Sequence, residues 1–144
     1  PPANPENGNP GGVNSGGVKP TLLIAEDTDS NYELLHAILG KVYNLVRARD
    51  GMEAVTLFDE IKPDLILMDI QMPIMDGYKA TRAIRRFSDK KKAGIPIVAM
   101  TANAFTEDKE RALESGMNDH VAKPIDMKVL MSVLEEQICG HKGL

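Results

Sequence analysis

The sequence predicts an α/β fold: a five-stranded parallel sheet in the order 2-1-3-4-5, with helices on both faces. Two observations predict it. Short apolar runs alternate with amphipathic stretches of helical period along residues 21–139, and strict β-α alternation forces right-handed crossovers that cover both faces of a parallel sheet. Four of the apolar runs also end in polar or charged residues, as strands do where an open parallel sheet gathers ligands at its carboxyl edge.

Residues 1–20 are nearly all Pro, Gly, Asn and Ser, which reads as a flexible linker; with no basic start and no apolar centre they are not a secretory signal. Thr21-Leu-Leu-Ile-Ala25 is the first strand, and Glu26 and Asp27 follow it. The first helix covers 29–40, with Leu34, Leu35, Ile38 and Leu39 facing inward. Tyr43–Ala48 is the second strand, its Arg47, like the Arg49 that follows, alternating with apolar residues as near a sheet edge. Asp50 with Glu53 resembles a capping box and opens a helix over 51–61 that turns Ala54, Val55, Phe58 and Ile61 inward.

Residues 64–69, Asp-Leu-Ile-Leu-Met-Asp, read as a strand buried on both faces that delivers Asp69 where it must end. Asp76-Gly77 starts a helix over 77–87 with Thr81 and Ile84 inward. The strand Ile95–Met100 delivers Thr101, and a helix over 104–115, carrying Phe105, Ala112 and Leu113 inward, stops at Gly116. The strand Asn118–Ala122 delivers Lys123. Asp126 then starts a helix over 127–139, with Leu130, Val133, Leu134 and Ile138 inward, and 140–144 form a tail.

A chain of 144 residues is one domain's worth, and about 120 of them can bury a core without staples. A net charge of −4, from 17 basic and 21 acidic side chains without a face-long basic cluster, argues against direct nucleic-acid binding. Lys90-Lys-Lys92 reads as a solvated loop. The single cysteine, Cys139, excludes an internal disulfide, and no apolar stretch is long enough for a membrane span. These features suit a reducing, cytoplasmic setting.

With strands 1 and 3 adjacent, Glu26, Asp27 and Asp69 crowd together, so a cation must offset them or a pKa must rise. Hard oxygen ligands suit Mg²⁺, with Mn²⁺ as an alternative. Lys123 adds a fixed positive charge and Thr101 a hydroxyl. Together these are the parts of phosphoryl transfer: a carboxylate nucleophile, a metal, a cation and a hydrogen-bond donor. Taken singly each has a plainer account. Glu26 and Asp27 suit a solvated turn, Lys123 an ordinary surface lysine, and Asp69 a loop cap.

Between Thr21 and Cys139 the chain resembles the receiver domain of two-component response regulators, a flavodoxin-like (βα)5 fold. The resemblance rests on Glu26-Asp27, on Met68-Asp69-Ile-Gln-Met-Pro73 with Met75-Asp-Gly77, on Met100-Thr-Ala-Asn-Ala104, and on Lys123-Pro124. It implies that Asp69 accepts a phosphoryl group from a phosphohistidine. It further implies that Asp27, Asp69 and the backbone carbonyl of Gln71 bind Mg²⁺ directly, with Glu26 acting through water. Thr101 and Lys123 would contact the phosphoryl oxygens, and Lys123-Pro124 would be a cis peptide.

Two positions vary on the family's pattern. Glu26 stands where the family often has Asp. His120 stands where it usually has the Tyr or Phe whose rotamer reports phosphorylation, and a histidine there would add a pH dependence. Ala102 is small enough to leave room for that switch residue to turn. Phosphorylation adds charge that Thr101 and Lys123 are expected to reach by moving inward, biasing the face made by strands 4 and 5 and helices 4 and 5. On helix 5, exposed Met127, Val129 and Met131 are expected to join a partner surface.

A haloacid-dehalogenase-type phosphatase would need a second Asp where Gln71 stands, and a flavin-binding module would need a hydroxyl-rich loop where Glu26-Asp-Thr-Asp29 stands. The resemblance is nearest to the C-terminal receiver of a hybrid sensor histidine kinase, in the wording Ala122-Lys-Pro-Ile-Asp126 among others. Such a domain catalyses only its own phosphotransfer and autodephosphorylation. Its expected partners are a kinase phosphohistidine domain or a histidine phosphotransfer protein, with no nucleic-acid or membrane contact of its own and no more than weak dimerisation. The alternatives are a free-standing single-domain regulator and a receiver-like contact module that is never phosphorylated.

Overall fold

In the computed structural model, which describes residues 19–89, 93–101 and 106–141, the apolar runs form five strands. They are β1 (Thr21–Ala25), β2 (Asn44–Ala48), β3 (Leu65–Asp69), β4 (Ile97–Thr101) and β5 (Asp119–Ala122). All pair in parallel, in the order β2-β1-β3-β4-β5 that the alternation predicts. Between and after them run α1 (Asp29–Leu39), α2 (Gly51–Ile61), α3 (Gly77–Arg85), α4 (Thr106–Ser115) and α5 (Met127–His141).

Successive strand residues point to opposite faces, so the sheet feeds two cores. Leu23, Ile66, Met68 and Ile97 pack with Phe58 of α2, Ile84 of α3 and Ala112 of α4. Leu22, Ile24, Leu65, Leu67 and Val98 pack with Leu35 and Leu39 of α1 and Leu130 and Leu134 of α5. β3 and β4 are buried along their whole length. Each fully buried Leu, Ile or Phe contributes about 1.5–3 kcal/mol of transfer free energy, so these two layers dominate the stability.

The helix signals hold in detail. Asp50 accepts the Glu53 N–H at 2.8 Å, while the Glu53 carboxylate reaches back to the Arg49 N–H at 2.7 Å. Asp76 accepts the Lys79 N–H at 2.9 Å, and Asp126 that of Lys128 at 2.9 Å. α4 gives way at Gly116, whose φ of +112° a side chain would resist; an added Cβ would also lie 2.9 Å from Arg85 Cγ.

Several boundaries and faces differ from expectation. β2 starts at Asn44 because the Tyr43 N–H is taken by the Leu39 carbonyl at the end of α1. β4 starts at Ile97, past Pro96, which has no N–H to donate, and it includes Thr101 rather than stopping before it. α3 ends at Arg85, and α5 continues past residue 139 to His141. Leu34 and Leu113 are 54% and 49% exposed instead of inward, because each helix meets the sheet along a narrower stripe than the helical period alone suggests. Met127 and Met131 are partly buried against the second core, so of the three proposed partner-surface residues only Val129 is largely exposed. The linker up to residue 18, Lys90-Lys-Lys92, Ala102, Phe105 and the last three residues lie outside the described residues.

Candidate functional site

β1 and β3 are neighbours, so the residues that end them meet. Asp69, the last residue of β3, is only 3% exposed. Its Oδ1 accepts the Gln71 backbone N–H at 3.0 Å and its Oδ2 accepts Lys123 Nζ at 2.9 Å. Behind it the start of α3 comes so close that a Cβ at Gly77 would sit 2.6 Å from the Asp69 carbonyl oxygen, which only glycine allows.

Glu26 is fully buried. Its N–H bonds the Ala48 carbonyl of β2 at 3.0 Å, and its Oε2 accepts from the Thr28 N–H at 3.1 Å and from Asn31 Nδ2 at 3.4 Å. Its other oxygen, Oε1, has no hydrogen-bond partner among the described residues and faces Lys123 Nζ at 3.4 Å. Asp27 is exposed, yet one oxygen each from Glu26, Asp27 and Asp69 lie within 4.8 Å of one another.

Lys123 follows β5, and its backbone N–H donates to the Thr101 carbonyl at 2.8 Å. The Lys123-Pro124 peptide is cis, as the family resemblance implies. The Lys123 ammonium already touches Asp69, because burial of that carboxylate leaves it needing a counter-charge in the resting fold. Thr101 is fully buried, and its hydroxyl donates to the Val121 carbonyl at 3.5 Å. His120 pairs in register with Ala99 and is partly buried, its Nδ1 3.9 Å from Asp119 Oδ1.

Charge at this edge is only partly balanced. Burial pushes the Asp69 carboxyl above its usual range; the Lys123 and Gln71 hydrogen bonds oppose that rise, and the Glu26 charge adds to it. Burial alone would lower the Lys123 ammonium, but its hydrogen bond to Asp69 and the charges of Asp69 and Glu26 outweigh that, and its pKa is raised. One ammonium thus serves a cluster of three carboxylates and pairs with two of them, and the buried Glu26 oxygen that faces it at 3.4 Å makes no hydrogen bond among the described residues. An all-oxygen donor set with an orphaned oxygen fits a hard divalent cation.

Sequence reasoning named Glu26, Asp27, Asp69, Gln71 and Lys123, and the fold brings them together. It did not name Asn31, which steadies Glu26, or Arg47, which bonds the Glu26 carbonyl. The available signal for Arg47 was register: in a sheet ordered 2-1-3, the end of strand 2 must lie beside the end of strand 1.

The family model of the response regulator receiver domain matches residues 22–135. The hybrid signal transduction histidine kinase I of Dictyostelium discoideum is 41% identical over 144 residues, covering 90% of this chain and 8% of that kinase. The chain therefore spans a small part of that relative's length. The crystal structure of the receiver domain of the Pseudomonas aeruginosa sensor histidine kinase PA1611, with a magnesium ion coordinated in the active-site cleft, is 37% identical. It covers 84% of this chain and 98% of that one, with a TM-score of 0.77. A chain in the co-crystal structure of the Saccharomyces cerevisiae histidine phosphotransfer protein Ypd1 with the receiver domain of its downstream response regulator Ssk1 is 34% identical. That match covers 85% of this chain and 90% of the other, with a TM-score of 0.76.

Proposed function

The chain belongs to the response regulator receiver family of two-component phosphorelays, and we propose that Asp69 is the residue that accepts its phosphoryl group, from a phosphohistidine. The observation that carries the proposal is the contact of Lys123 Nζ with Asp69 Oδ2 at 2.9 Å, beside an acidic cluster short of positive charge. An Asp69 carboxylate oxygen forms the new bond to phosphorus as the P–N bond breaks. The electron pair leaves with the imidazole nitrogen, which takes up a proton.

Lys123 binds one phosphoryl oxygen from where it already stands, and the Thr101 hydroxyl turns from the Val121 carbonyl to bind another. Asp27, Asp69 and the Gln71 carbonyl would hold Mg²⁺, or Mn²⁺, with Glu26 acting through water. When bound, the ion supplies the positive charge that draws in phosphoryl oxygens and offsets the carboxylates. Phospho-Asp69 carries about two negative charges and three acceptor oxygens, and Thr101, Ala102 and His120 pass the change to the face built by β4, α4, β5 and α5.

The likeness to the Dictyostelium kinase supports a place as the receiver, residues 21–139, of a hybrid histidine kinase on the cytoplasmic side of a membrane. In that setting Asp69 takes its phosphoryl group from the kinase's own histidine and hands it to a histidine phosphotransfer protein, a partner class supported by the Ypd1 and Ssk1 pair. Incubation with Mg²⁺ and acetyl phosphate should raise the intact mass by one phosphoryl group, and Asp69→Asn should abolish the gain. An equal gain in the variant would overturn the assignment.

A further inference from the structure

The acidic pair is held from the neighbouring strand. Arg47, on the edge strand β2, sends Nε to the Glu26 carbonyl oxygen at 3.0 Å and Nη1 to Asp29 Oδ1 at 2.8 Å. Its guanidinium lies 4.9 Å from the centre of the Tyr32 ring, and its side chain is only 13% exposed. The cation is thus fixed on three sides, by the residue that follows β1, by the first residue of α1 and by an aromatic face.

The carbonyl that Arg47 grips is half of the planar peptide unit whose other half is the Asp27 nitrogen. Fixing that plane fixes where the Asp27 Cα lies and so narrows the directions in which its side chain can leave the backbone. Asp27 needs this help. Its carboxylate has no hydrogen bond or ion pair among the described residues, it is exposed, and Glu26 and Asp69 repel it outward. Glu26 is secured separately, by Ala48, Thr28 and Asn31.

We infer that Arg47 is a positioning residue for the divalent cation, holding the Glu26–Asp27 peptide so that the Asp27 carboxylate stays beside Asp69. The inference rests on the reading of the acidic cluster as the cation site. It carries a sign that separates it from simple electrostatics. Removing a positive charge near a cation site strengthens cation binding, whereas loosening a ligand weakens it. Arg49 is the built-in control: it pairs with the same Asp29 oxygen at 3.1 Å but is 64% exposed, and its guanidinium makes no bond to Glu26.

The test is calorimetric titration of the full chain with MgCl₂, alongside thermal unfolding in EDTA. Arg47→Ala should weaken Mg²⁺ binding about tenfold, the size usual for partners that orient a metal ligand, while Arg49→Ala should stay within about twofold of the unsubstituted chain. Affinity that is unchanged or tighter in Arg47→Ala would overturn the inference, even with a lower melting temperature, because a merely structural arginine would move the melting alone. Should Arg47→Ala fail to fold, Arg47→Lys, which keeps the charge and loses the planar fork, should still weaken Mg²⁺ severalfold; unchanged affinity there would equally overturn it. A chain that binds no Mg²⁺ before any substitution would instead refute the cation-site reading on which the inference stands.

Discussion

At the amino-end rim of the sheet the guanidinium of Arg85 donates to four acceptors. These are the carbonyls of Gly116 at 2.9 Å and of Ala93 and Ile95 at 2.6 Å, and Asn118 Oδ1 at 2.8 Å. At the carboxyl-end rim three carboxylates crowd together and the Lys123 ammonium pairs with two of them, Asp69 at 2.9 Å and Glu26 at 3.4 Å, while Asp27 pairs with nothing among the described residues. Both rims take charge out of water. The first is closed: burial lowers the Arg85 pKa, yet its donors are spent on backbone that has to be satisfied, and Asn118 goes on to accept the Ile97 N–H at 2.8 Å. The second is open: among the described residues the Lys123 ammonium alone pairs with its carboxylates. A fold can thus afford one unfinished rim because the opposite one is finished.

The largest effect should come from breaking the finished rim. Arg85→Ala leaves three carbonyls without their donor and should cost about 3 kcal/mol, seen as a fall in the urea midpoint; a loss below about 1 kcal/mol would mean that the clamp is ornamental. Gly116→Ala attacks the same rim through the backbone. With φ at +112° and Arg85 Cγ 2.9 Å from the new Cβ, it should cost about 1–3 kcal/mol, and a neutral result would contradict the packing.

Filling the open rim should work in the other direction. Mg²⁺ at ten to a hundred times its Kd should stabilise the chain by about 1.4–2.7 kcal/mol, EDTA should reverse the gain, and Asp27→Asn should remove it. The rims lie about 17 Å apart along five-residue strands, so the Mg²⁺ gain should persist undiminished in Arg85→Ala; strong coupling would show that the rims are not independent.

The smallest effect is a pH slope. Burial raises the Asp69 carboxyl, so the folded chain holds that proton more tightly than the unfolded one, and ionising it as pH rises lowers stability. In EDTA, Asp69→Asn should therefore gain on the unsubstituted chain as pH rises above the ordinary carboxylate pKa of about 4. A difference that stays flat or reverses would mean that Lys123 neutralises Asp69 fully.

Strand order and strand ends were legible because they follow from local pattern: the run 64–69 is apolar throughout and stops at a carboxylate, and the caps Asp50 and Asp76 act within three residues of themselves. The charged cluster was legible as a set, since adjacency of strands 1 and 3 alone brings Glu26 to Asp69. What stayed hidden depends on tertiary distance. Nothing local marks Arg85 as a clamp, because its acceptors at 93, 95, 116 and 118 lie 8 to 33 residues away. Leu34 and Leu113 satisfy helical periodicity yet face water, and Met131 looks like surface yet is partly buried against the second core, because period does not reveal how wide a stripe the sheet covers. The Lys123–Asp69 contact stayed hidden for a related reason: residue order says nothing about which ion pairs exist before the ligand arrives.

The central claim, that the open rim exists to turn Asp69 into an acyl phosphate, is tested most directly by locating the modified residue. After treatment with Mg²⁺ and acetyl phosphate, borohydride reduction converts an aspartyl phosphate to homoserine, and peptide mass spectrometry reads the position. Homoserine is expected at position 69 and nowhere else. Conversion at position 27 with an unaltered Asp69 would contradict it.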